Sequence, residues 1–335
     1  AHAQCPETAC HLGPDDPLEG QCFLPEEVIW IDNAAPCPGL GTQEEPACSL
    51  QSVAATLGPG DVTVLRIAGG MPYAERAVFA GEMTVAIIGV GDPVISGHPM
   101  QQAATFNFSG GAIAYVQGVN LVGNPLTHGI MCSLSTLRVQ DSEIRNNGGW
   151  GLFDFDPCTL DLERTVIAGN DDGGLRVSQG ELRLVNATVG LNGQGGNSTG
   201  IRLLNADAAI LYSTIAGNDG SGSDSIECVG ASGTLRNNII TGLQAPSIEL
   251  DCFPLLMDHN AMDAANFASG TNVAVGAYNE IYFDNPAAGD FTLSAPPLTP
   301  FGDVALWLEG DPERDADGTL RPTDGSPGYA GVDEP

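Results

Sequence analysis

The chain has 335 residues, 42% of them hydrophobic, and carries 42 acidic against 11 basic residues, a net charge of −31. This length is enough for one elongated domain or two compact ones. All the basic residues are arginine, and they are too few to form the basic surface that nucleic acid requires. Anionic membranes and polyuronates would be repelled unless divalent cations bridge the charges. No stretch is apolar enough to predict a membrane span, so we expect neither nucleic-acid binding nor membrane insertion.

Residues 1–46 form a cysteine-rich segment that ends in a first predicted strand. Residues 1–3, Ala-His-Ala, match the small-residue pattern of a signal-peptidase site, so we expect them to be the end of a leader or to lie just beyond it. The nine cysteines of the whole chain fit an oxidising compartment, so we expect a secreted or cell-surface protein. Cys37 and Cys48 flank a loop, and we predict that they pair.

A short helix is predicted within residues 47–58, at the start of the central domain. Its apolar positions fall on one helical face: Leu50, Val53, Ala54 and Leu57. Ser49 suits the N-cap, and Gly58 suits the C-terminal stop. We expect this helix to cover the open end of the structure that follows, because exposed strand edges invite unwanted pairing.

The central domain, residues 47–283, contains an internal repeat. The hexapeptide TVIAGN at 165–170 returns as STIAGN at 213–218, and a looser copy, ATVGLN, lies between them at 187–192. Each repeat of 22–26 residues holds about three short runs of alternating apolar and polar residues, which predict strands with one buried face. A unit of this size must stack on its neighbours to bury that face. The pattern predicts an all-β fold, a single-stranded right-handed parallel β-helix with three strands per coil.

Fixed positions of the repeat predict what fills the interior and the turns. Apolar residues recur in columns such as Val116, Val139, Leu162, Leu184, Ile210 and Leu235, and another column contains Ile130, Leu152, Leu175, Ile201, Ile226 and Ile248. One polar column contains Asn124, Asn147, Asn170, Asn192 and Asn218. Asparagine tolerates the left-handed backbone of a sharp turn, and stacked amides satisfy one another, so these residues predict an asparagine ladder.

Two pairs of cysteines are spaced by about one coil. They are Cys132 with Cys158 and Cys228 with Cys252. Each pair is placed to join adjacent coils by a disulfide. The alternative, that Cys132 and Cys228 are buried free thiols acting as small hydrophobic residues, stays open.

Residues 284–335 are rich in Pro, Asp and Gly and lack the repeat, so we predict an irregular cap and tail lying against the last coils. The stretch DPERDADGT places Asp311, Asp315 and Asp317 near Gly318, as in a short calcium loop. The terminal glutamate of the full twelve-residue loop is missing. Calcium and a polar turn without metal are therefore both open, and no other cofactor is required.

Residues near both ends resemble a known group of proteins. The opening VIWIDNAAPCPGLGTQEEPACSLQSVAATLGPGDVTVLRIAGGMPYAE resembles that of secreted bacterial parallel β-helix repeat proteins of the pectin-lyase-like superfamily, with matches at 60–61 and at Gly70, Tyr73 and Glu75. The closing DADGTLRPTDGSPGYAGVDE resembles the ending of their surface-anchored members. The resemblance implies the fold and a bacterial surface or secreted location. It leaves activity open, since the superfamily mixes lyases, hydrolases and adhesins.

The sequence predicts no catalytic residue. The arginines of the repeats appear scattered: Arg138, Arg145, Arg164, Arg176, Arg183, Arg202 and Arg236. Arg176 is at a predicted outward position, and we expect it to lack the clustered basic neighbours that a uronate site needs. Asp171 and Asp172 are interpreted as a turn, because adjacent coils offer no companion carboxylate. Trp150, with two phenylalanines in GWGLFDFDP, either binds a sugar or packs against the coil.

These observations favour a non-catalytic extracellular β-solenoid with a structural, adhesive or assembly role, filament formation included. Its expected partners are further copies of itself or surface glycans. The alternative is a carbohydrate-active enzyme, a polysaccharide lyase or glycoside hydrolase, or a carbohydrate-binding protein on the same fold. A groove lined by three or more carboxylates, or by arginines on adjacent coils, would favour the alternative.

Overall fold

The computed structural model of the chain describes residues 22–194, 199–219, 225–243, 246–252, 254–263, 270–294 and 300–335. Residues 1–21, with the leader-like pattern, lie outside the described residues. Most described strands belong to three parallel sheets, which we name A, B and C. Each coil of the chain passes through A, then B, then C before it returns to A one layer further along.

The strands follow one another in a regular order. The first half of the chain contains β1 (Val28–Ile31), β2 (Val62–Ala68), β3 (Ala77–Ala80), β4 (Thr84–Val90), β5 (Val94–Ile95), β6 (Phe106–Ser109), β7 (Ile113–Gln117), β8 (Asn120–Val122), β9 (Ile130–Ser133), β10 (Thr136–Gln140), β11 (Glu143–Arg145), β12 (Trp150–Asp156), β13 (Thr159–Glu163) and β14 (Val166–Ala168). The second half contains β15 (Gly173–Ser178), β16 (Glu181–Val185), β17 (Thr188–Gly190), β18 (Ile201–Leu204), β19 (Asp207–Leu211), β20 (Thr214–Ala216), β21 (Ile226–Val229), β22 (Ser232–Arg236), β23 (Ile239–Thr241), β24 (Leu256–Asp258), β25 (Ala261–Met262), β26 (Val273–Ala274), β27 (Phe283–Asn285) and β28 (Asp290–Leu293).

Strands of the same sheet pair in parallel, each with its counterpart one coil away. Sheet A has ten strands: β1, β2, β4, β7, β10, β13, β16, β19, β22 and β24. Sheet B has nine: β5, β8, β11, β14, β17, β20, β23, β25 and β26. Sheet C has seven: β3, β6, β9, β12, β15, β18 and β21. This arrangement confirms the predicted right-handed parallel β-helix.

The predicted apolar columns fill the interior. Val139 pairs with Leu162, and Leu162 pairs with Leu184 on the next coil, so the column runs in register through sheet A. These side chains are buried in one continuous cluster that also contains the inward residues of sheets B and C. Burial of apolar area on every coil, at roughly 25 cal/mol per Å², holds the coils together.

The corner between sheets B and C differs from the expectation in one detail. The left-handed backbone belongs to the residue before each ladder asparagine, as in Gly169 (φ 65°) and Gly217 (φ 65°), and not to the asparagine itself. Asn170 and Asn218 are therefore required for their amides rather than for an unusual backbone. Glycine accepts the left-handed conformation without steric cost, which explains the recurring Gly-Asn pair.

The N-terminal helix is shorter than the predicted span and covers the first coil. Helix α1 runs from Leu50 to Ala54, with both of these end residues buried, and the Ser49 side chain accepts a hydrogen bond from the Ser52 N–H. Glu75, from the following coil, accepts from the Gln51 N–H at 2.7 Å. The helix ends at Ala54, with Ala55 as its C-cap, rather than at Gly58, because the Thr56 and Leu57 N–H groups donate to carbonyls three residues earlier. None of the helices among the described residues has the length and apolar character needed to cross a membrane.

The C-terminal segment lies along the side of the solenoid rather than only against its last coils. Strands β27 and β28 form an antiparallel hairpin. A second hydrophobic cluster joins the segment to the outer face of sheet B: Ala216, Ile239, Ala261, Phe283, Phe291, Leu293, Phe301, Val304 and Ala330. Gly190 has no room for a side chain, since a Cβ there would lie 2.1 Å from Cζ of Phe291. The segment thus covers sheet B and leaves sheet C open among the described residues.

Candidate functional site

The outer face of sheet C carries a row of large side chains at one register position. Phe153, Arg176, Arg202 and Glu227 pair in sequence across four adjacent strands, β12, β15, β18 and β21. Alternation along each strand sends these residues outward, because the preceding residues are buried in the core. We call these four residues the sheet C column.

The column begins with stacked planar groups. The His128 ring lies 4.6 Å from the Phe153 ring with an interplanar angle of 11°. The guanidinium carbon of Arg176 lies 4.6 Å from the centroid of the same ring. A guanidinium over an aromatic face gains about 0.5–2 kcal/mol and is held in a defined orientation. Phe153 therefore fixes the position of Arg176.

His128 is fixed in one tautomer. Its Nδ1 atom accepts a hydrogen bond of 2.9 Å from the Trp150 N–H, so the ring proton of the neutral form is on Nε2. Burial lowers the pKa of His128, Asp172 acts in the opposite direction, and Arg176 lowers it further. His128 is therefore uncharged in neutral solution and supports the column by stacking.

The two arginines of the column lie on adjacent coils, which corrects the expectation that the arginines are scattered. Arg176 and Arg202 are register partners on β15 and β18. Arg202 is paired with Glu227 at 2.9 Å. Within the described ranges Arg176 has no ion pair and no side-chain hydrogen bond, and its only specific contact is the Phe153 ring. An unpaired guanidinium is a strong donor for carboxylate, sulfate or phosphate groups.

The signal for this pair was present in the sequence. Leu175 and Ile201 occupy the same predicted apolar column, and each is followed directly by an arginine. The residue that follows this apolar position on each coil therefore faces outward, and Arg176 and Arg202 are two such residues. Sequence reasoning missed the pair because the arginines were compared by spacing along the chain rather than by their place in the coil.

A buried carboxyl lies behind the column. Asp154 follows Phe153, faces inward opposite Cys132, and has no exposed surface. Its Oδ2 atom accepts from the Ser178 N–H at 2.9 Å, whereas Oδ1 has no hydrogen-bond partner among the described residues. Burial raises the pKa of Asp154 to about 7, although the Ser178 N–H and the charge of Arg176 act in the opposite direction. Asp154 therefore exchanges its proton near neutral pH.

The aromatic residues around the column separate into packed and exposed ones. Trp150 is 5% exposed, and its ring covers Gly173, where a Cβ would lie 2.5 Å from the indole. Phe155 is 64% exposed and lies beside Phe153, with 6.3 Å between the ring centroids. Trp150 therefore packs against the coil, whereas Phe155 offers an exposed apolar face beside the sheet C column.

The predicted ladder asparagines lie together at the corner of sheets B and C, with no exposed surface. Asn147 Nδ2 donates to Asn170 Oδ1 at 2.9 Å, and Asn170 Nδ2 donates to Asn192 Oδ1 at 2.9 Å. Asn192 Nδ2 donates to Asn218 Oδ1 at 3.0 Å. At the other end of the row, the Asn124 N–H donates to Asn147 Oδ1. A fully buried and satisfied amide row leaves no donor for a ligand, so it belongs to the framework.

A second asparagine row, missed by sequence reasoning, lies at the corner of sheets A and B. Asn238 Nδ2 donates to Asn260 Oδ1 at 3.0 Å, and Asn260 Nδ2 donates to Asn272 Oδ1 at 3.0 Å. Asn238 and Asn260 are 22 residues apart, which is the repeat length, and this spacing was the available signal.

Three predicted disulfides are present between described residues. Cys37 pairs with Cys48, Cys132 with Cys158, and Cys228 with Cys252. The last two join neighbouring coils on the side of sheet C, so the alternative of buried free thiols is wrong for Cys132 and Cys228.

The candidate calcium ligands Asp311, Asp315 and Asp317 share no hydrogen-bond or ion-pair partner with one another among the described residues. Asp311 is paired with Arg236 and accepts from the Leu308 N–H at 3.0 Å. Asp315 accepts from the Thr319 N–H at 2.7 Å, and Asp317 lies in a turn nearby. Over the described parts of the chain, no group of three acidic, histidine or cysteine residues is placed to hold a metal ion. Calcium at this loop stays a prediction.

The outer face of sheet A provides a contrast to the column. A groove of about 530 Å³ lies over β10, β13, β16, β19 and β22. Its arginines are neutralised within the protein, because Arg138 and Arg183 each contact Asp161 at 2.8 Å. Arg183 is consequently a suitable reference for an outward arginine that is already paired.

Comparison with known proteins gives one similarity of fold. No protein-family model and no curated protein matches the sequence. Among solved structures, the chain is similar to the crystal structure of pectate lyase Pel9A, with 14% identity, a TM-score of 0.49, and coverage of 92% of this chain and 96% of that chain.

Proposed function

We propose that this protein is a non-catalytic, extracellular β-solenoid that adheres to acidic surface glycans through the sheet C column. The observation that carries the proposal is Arg176, an arginine without an ionic partner among the described residues, whose guanidinium carbon lies 4.6 Å from the Phe153 ring centroid and which pairs in register with Arg202. Arg176 lies on an outer face of a chain that carries 42 acidic and 11 basic residues. Its five donors suit the carboxylate or sulfate of an acidic sugar.

The neighbourhood of Arg176 adds an apolar surface. Phe155, exposed beside the column, offers a flat face on which the C–H side of a sugar ring can stack. An acidic sugar presents both an anion and such a face. Arg176 of the column suits the anion, and Phe155 beside the column suits the apolar face. The strong negative charge of the whole protein opposes anions at long range, so binding is expected to be modest in affinity and confined to this face.

The proposed extracellular role rests on the covalent framework. Three disulfides join described residues, two of them between adjacent coils, and disulfides persist mainly in oxidising compartments. A rigid rod with an exposed binding face suits adhesion. Self-association of the rod stays a prediction, for which the concentration dependence of light scattering is the measurement.

Binding is tested with immobilised polysaccharides that differ in charge. Uronate-containing and sulfated polymers are expected to retain the protein, whereas neutral polymers of the same backbone are not. Equal retention on neutral and acidic polymers, or none on either, would contradict the proposal.

A polysaccharide lyase is the second candidate, favoured by the two arginines on adjacent coils. It ranks second because Arg202 is already paired with Glu227 at 2.9 Å, so Arg176 alone of the two has no ion pair among the described residues. Incubation with the same acidic polymers distinguishes the two. Appearance of unsaturated products or of new reducing ends, removed by Arg176→Ala, would establish turnover. Stable binding without such products supports the adhesive role.

A further inference from the structure

Each arginine of the sheet C column has its own carboxyl group close by. Glu227 contacts Arg202 directly at 2.9 Å, on the outer surface. Asp154 lies behind Arg176 on the inner side of sheet C, and the charge of Arg176 acts on it. The positive charge that the column presents to solvent therefore depends on whether these two carboxyls are ionised.

Building on the proposed function, we propose that protonation of Asp154 and Glu227 strengthens the binding of anionic glycans, so that the column binds more tightly in mildly acidic than in alkaline solution. When both carboxyls are ionised, Glu227 occupies the donors of Arg202, and Asp154 offsets the field of Arg176. When both are neutral, the two guanidinium groups act together on a ligand. Their positions in register one coil apart, about 4.8 Å, suit a single acidic sugar unit.

The environment raises the pKa of both carboxyls, which favours their protonated forms. Burial raises the pKa of Asp154 to about 7. Burial also raises the pKa of Glu227, with Arg202 acting against this and Glu249 adding to it. Since protonation removes negative charge, the sign is fixed: the net positive charge of the column rises as the pH falls.

Other charged groups near the column act on the same residues. Asp156 on β12 raises the pKa of Asp154, and Arg176 on β15 lowers it. His128, on the loop before β9, has a lowered pKa and faces Asp172 and Arg176. Protonation of His128 in acidic solution would also add positive charge to the column. It takes place in the wild type and in every variant of Asp154 and Glu227 alike.

The test uses dextran sulfate as the probe, because sulfate esters stay ionised at every pH of the experiment. Binding is measured by titration calorimetry at constant ionic strength between about pH 5 and pH 8, with neutral dextran as the blank. The wild type is expected to bind about fivefold to tenfold more weakly at the alkaline end than at the acidic end. This factor corresponds to one partly exposed charge pair at each arginine, which forms when the carboxyl is ionised and competes with the ligand. The double variant Asp154→Asn, Glu227→Gln is expected to bind more tightly than the wild type at the alkaline end and to keep only the part of the pH dependence that His128 contributes.

Asp333→Asn is the matched control. Asp333 is buried in the C-terminal segment, burial raises its pKa, and its Oδ2 atom accepts from the Leu293 N–H on the side of sheet B. This variant is expected to keep the pH dependence of the wild type. If the double variant does not fold, the single variants are measured, and each is expected to remove about half of the effect on a logarithmic scale.

Failures of the two proposals are distinguishable. Binding that Arg176→Ala abolishes but that does not change with pH overturns the present proposal and leaves the proposed function intact. A pH dependence that persists unchanged in the double variant, or that disappears in Asp333→Asn, overturns it as well. Absence of dextran sulfate binding at every pH overturns both.

Discussion

Replacement of Asn170 by alanine tests whether the buried amides hold the coils in register. The Asn170 side chain accepts from the Asn147 N–H at 3.1 Å and from Asn147 Nδ2 at 2.9 Å, and it donates to the Ile144 carbonyl at 3.0 Å. Its remaining partner, Asn192 Oδ1, would still accept from the Asn170 N–H at 3.0 Å. Asn147 Nδ2 keeps its bond to the Leu121 carbonyl at 3.3 Å, so the variant removes the side-chain partner of two other buried groups, the Asn147 N–H and the Ile144 carbonyl.

Each of these two groups costs about 1–1.5 kcal/mol at a site with no exposed surface, so Asn170→Ala is expected to lower the free energy of unfolding by about 2–3 kcal/mol. Urea unfolding followed by circular dichroism measures the loss. Asn120→Ala, on a half-buried residue of β8 outside the ladder, is the control and is expected to change stability by about 0.5 kcal/mol or less. A loss below about 1 kcal/mol for Asn170→Ala would refute the reasoning, because the amides would then be replaceable by water.

Three further changes probe the staple, the buried carboxyl and the C-terminal segment. Removing the Cys132–Cys158 disulfide by a double alanine substitution opens a loop of 26 residues and is expected to cost about 3.5 kcal/mol in urea unfolding; no change would contradict its stapling role. The pKa of Asp154 in the folded state, about 7, lies above its ordinary value of 3.8, so wild-type stability should fall as the pH rises between these values, by about 4 kcal/mol in total. Asp154→Asn should abolish this fall, and an unchanged profile by thermal unfolding would show that another group is responsible. Gly190→Ala forces a methyl group against Phe291 and should cost about 1–3 kcal/mol and speed proteolysis of the C-terminal segment; unaltered cleavage would argue against tight docking.

The repeated interior was predictable from the sequence because its physics is local and periodic. Ile167 and Val189 pair in register one coil apart and fill equivalent core positions, so their spacing alone indicates a stacked coil. The disulfides followed from the same spacing, since residues one coil apart meet in space. For Cys132 and Cys158 the spacing indicated the pairing but left buried free thiols open, and the disulfide in the structure decides between the two.

The rest depended on contacts that spacing does not encode. Phe291 docks on Gly190 across the surface of sheet B, and no periodic pattern connects the irregular C-terminal segment to a particular coil. Asp154 occupies an inward position that alternation reserves for apolar residues, and the register of β12 shifts between Asp154 and Asp156. A buried carboxyl of this kind contradicts the local pattern, so only the three-dimensional arrangement reveals that it lies behind Arg176.

The most direct test of the central claim compares two arginine variants for binding to an acidic polysaccharide. Arg176→Ala removes the guanidinium held on Phe153, whereas Arg183→Ala removes an outward arginine that is paired with Asp161 on sheet A. Titration calorimetry with dextran sulfate in mildly acidic solution is expected to show at least about tenfold weaker binding for Arg176→Ala, from the loss of a charge-assisted contact, and unchanged binding for Arg183→Ala. Equal binding by Arg176→Ala and the wild type would contradict the assignment of sheet C as the binding face.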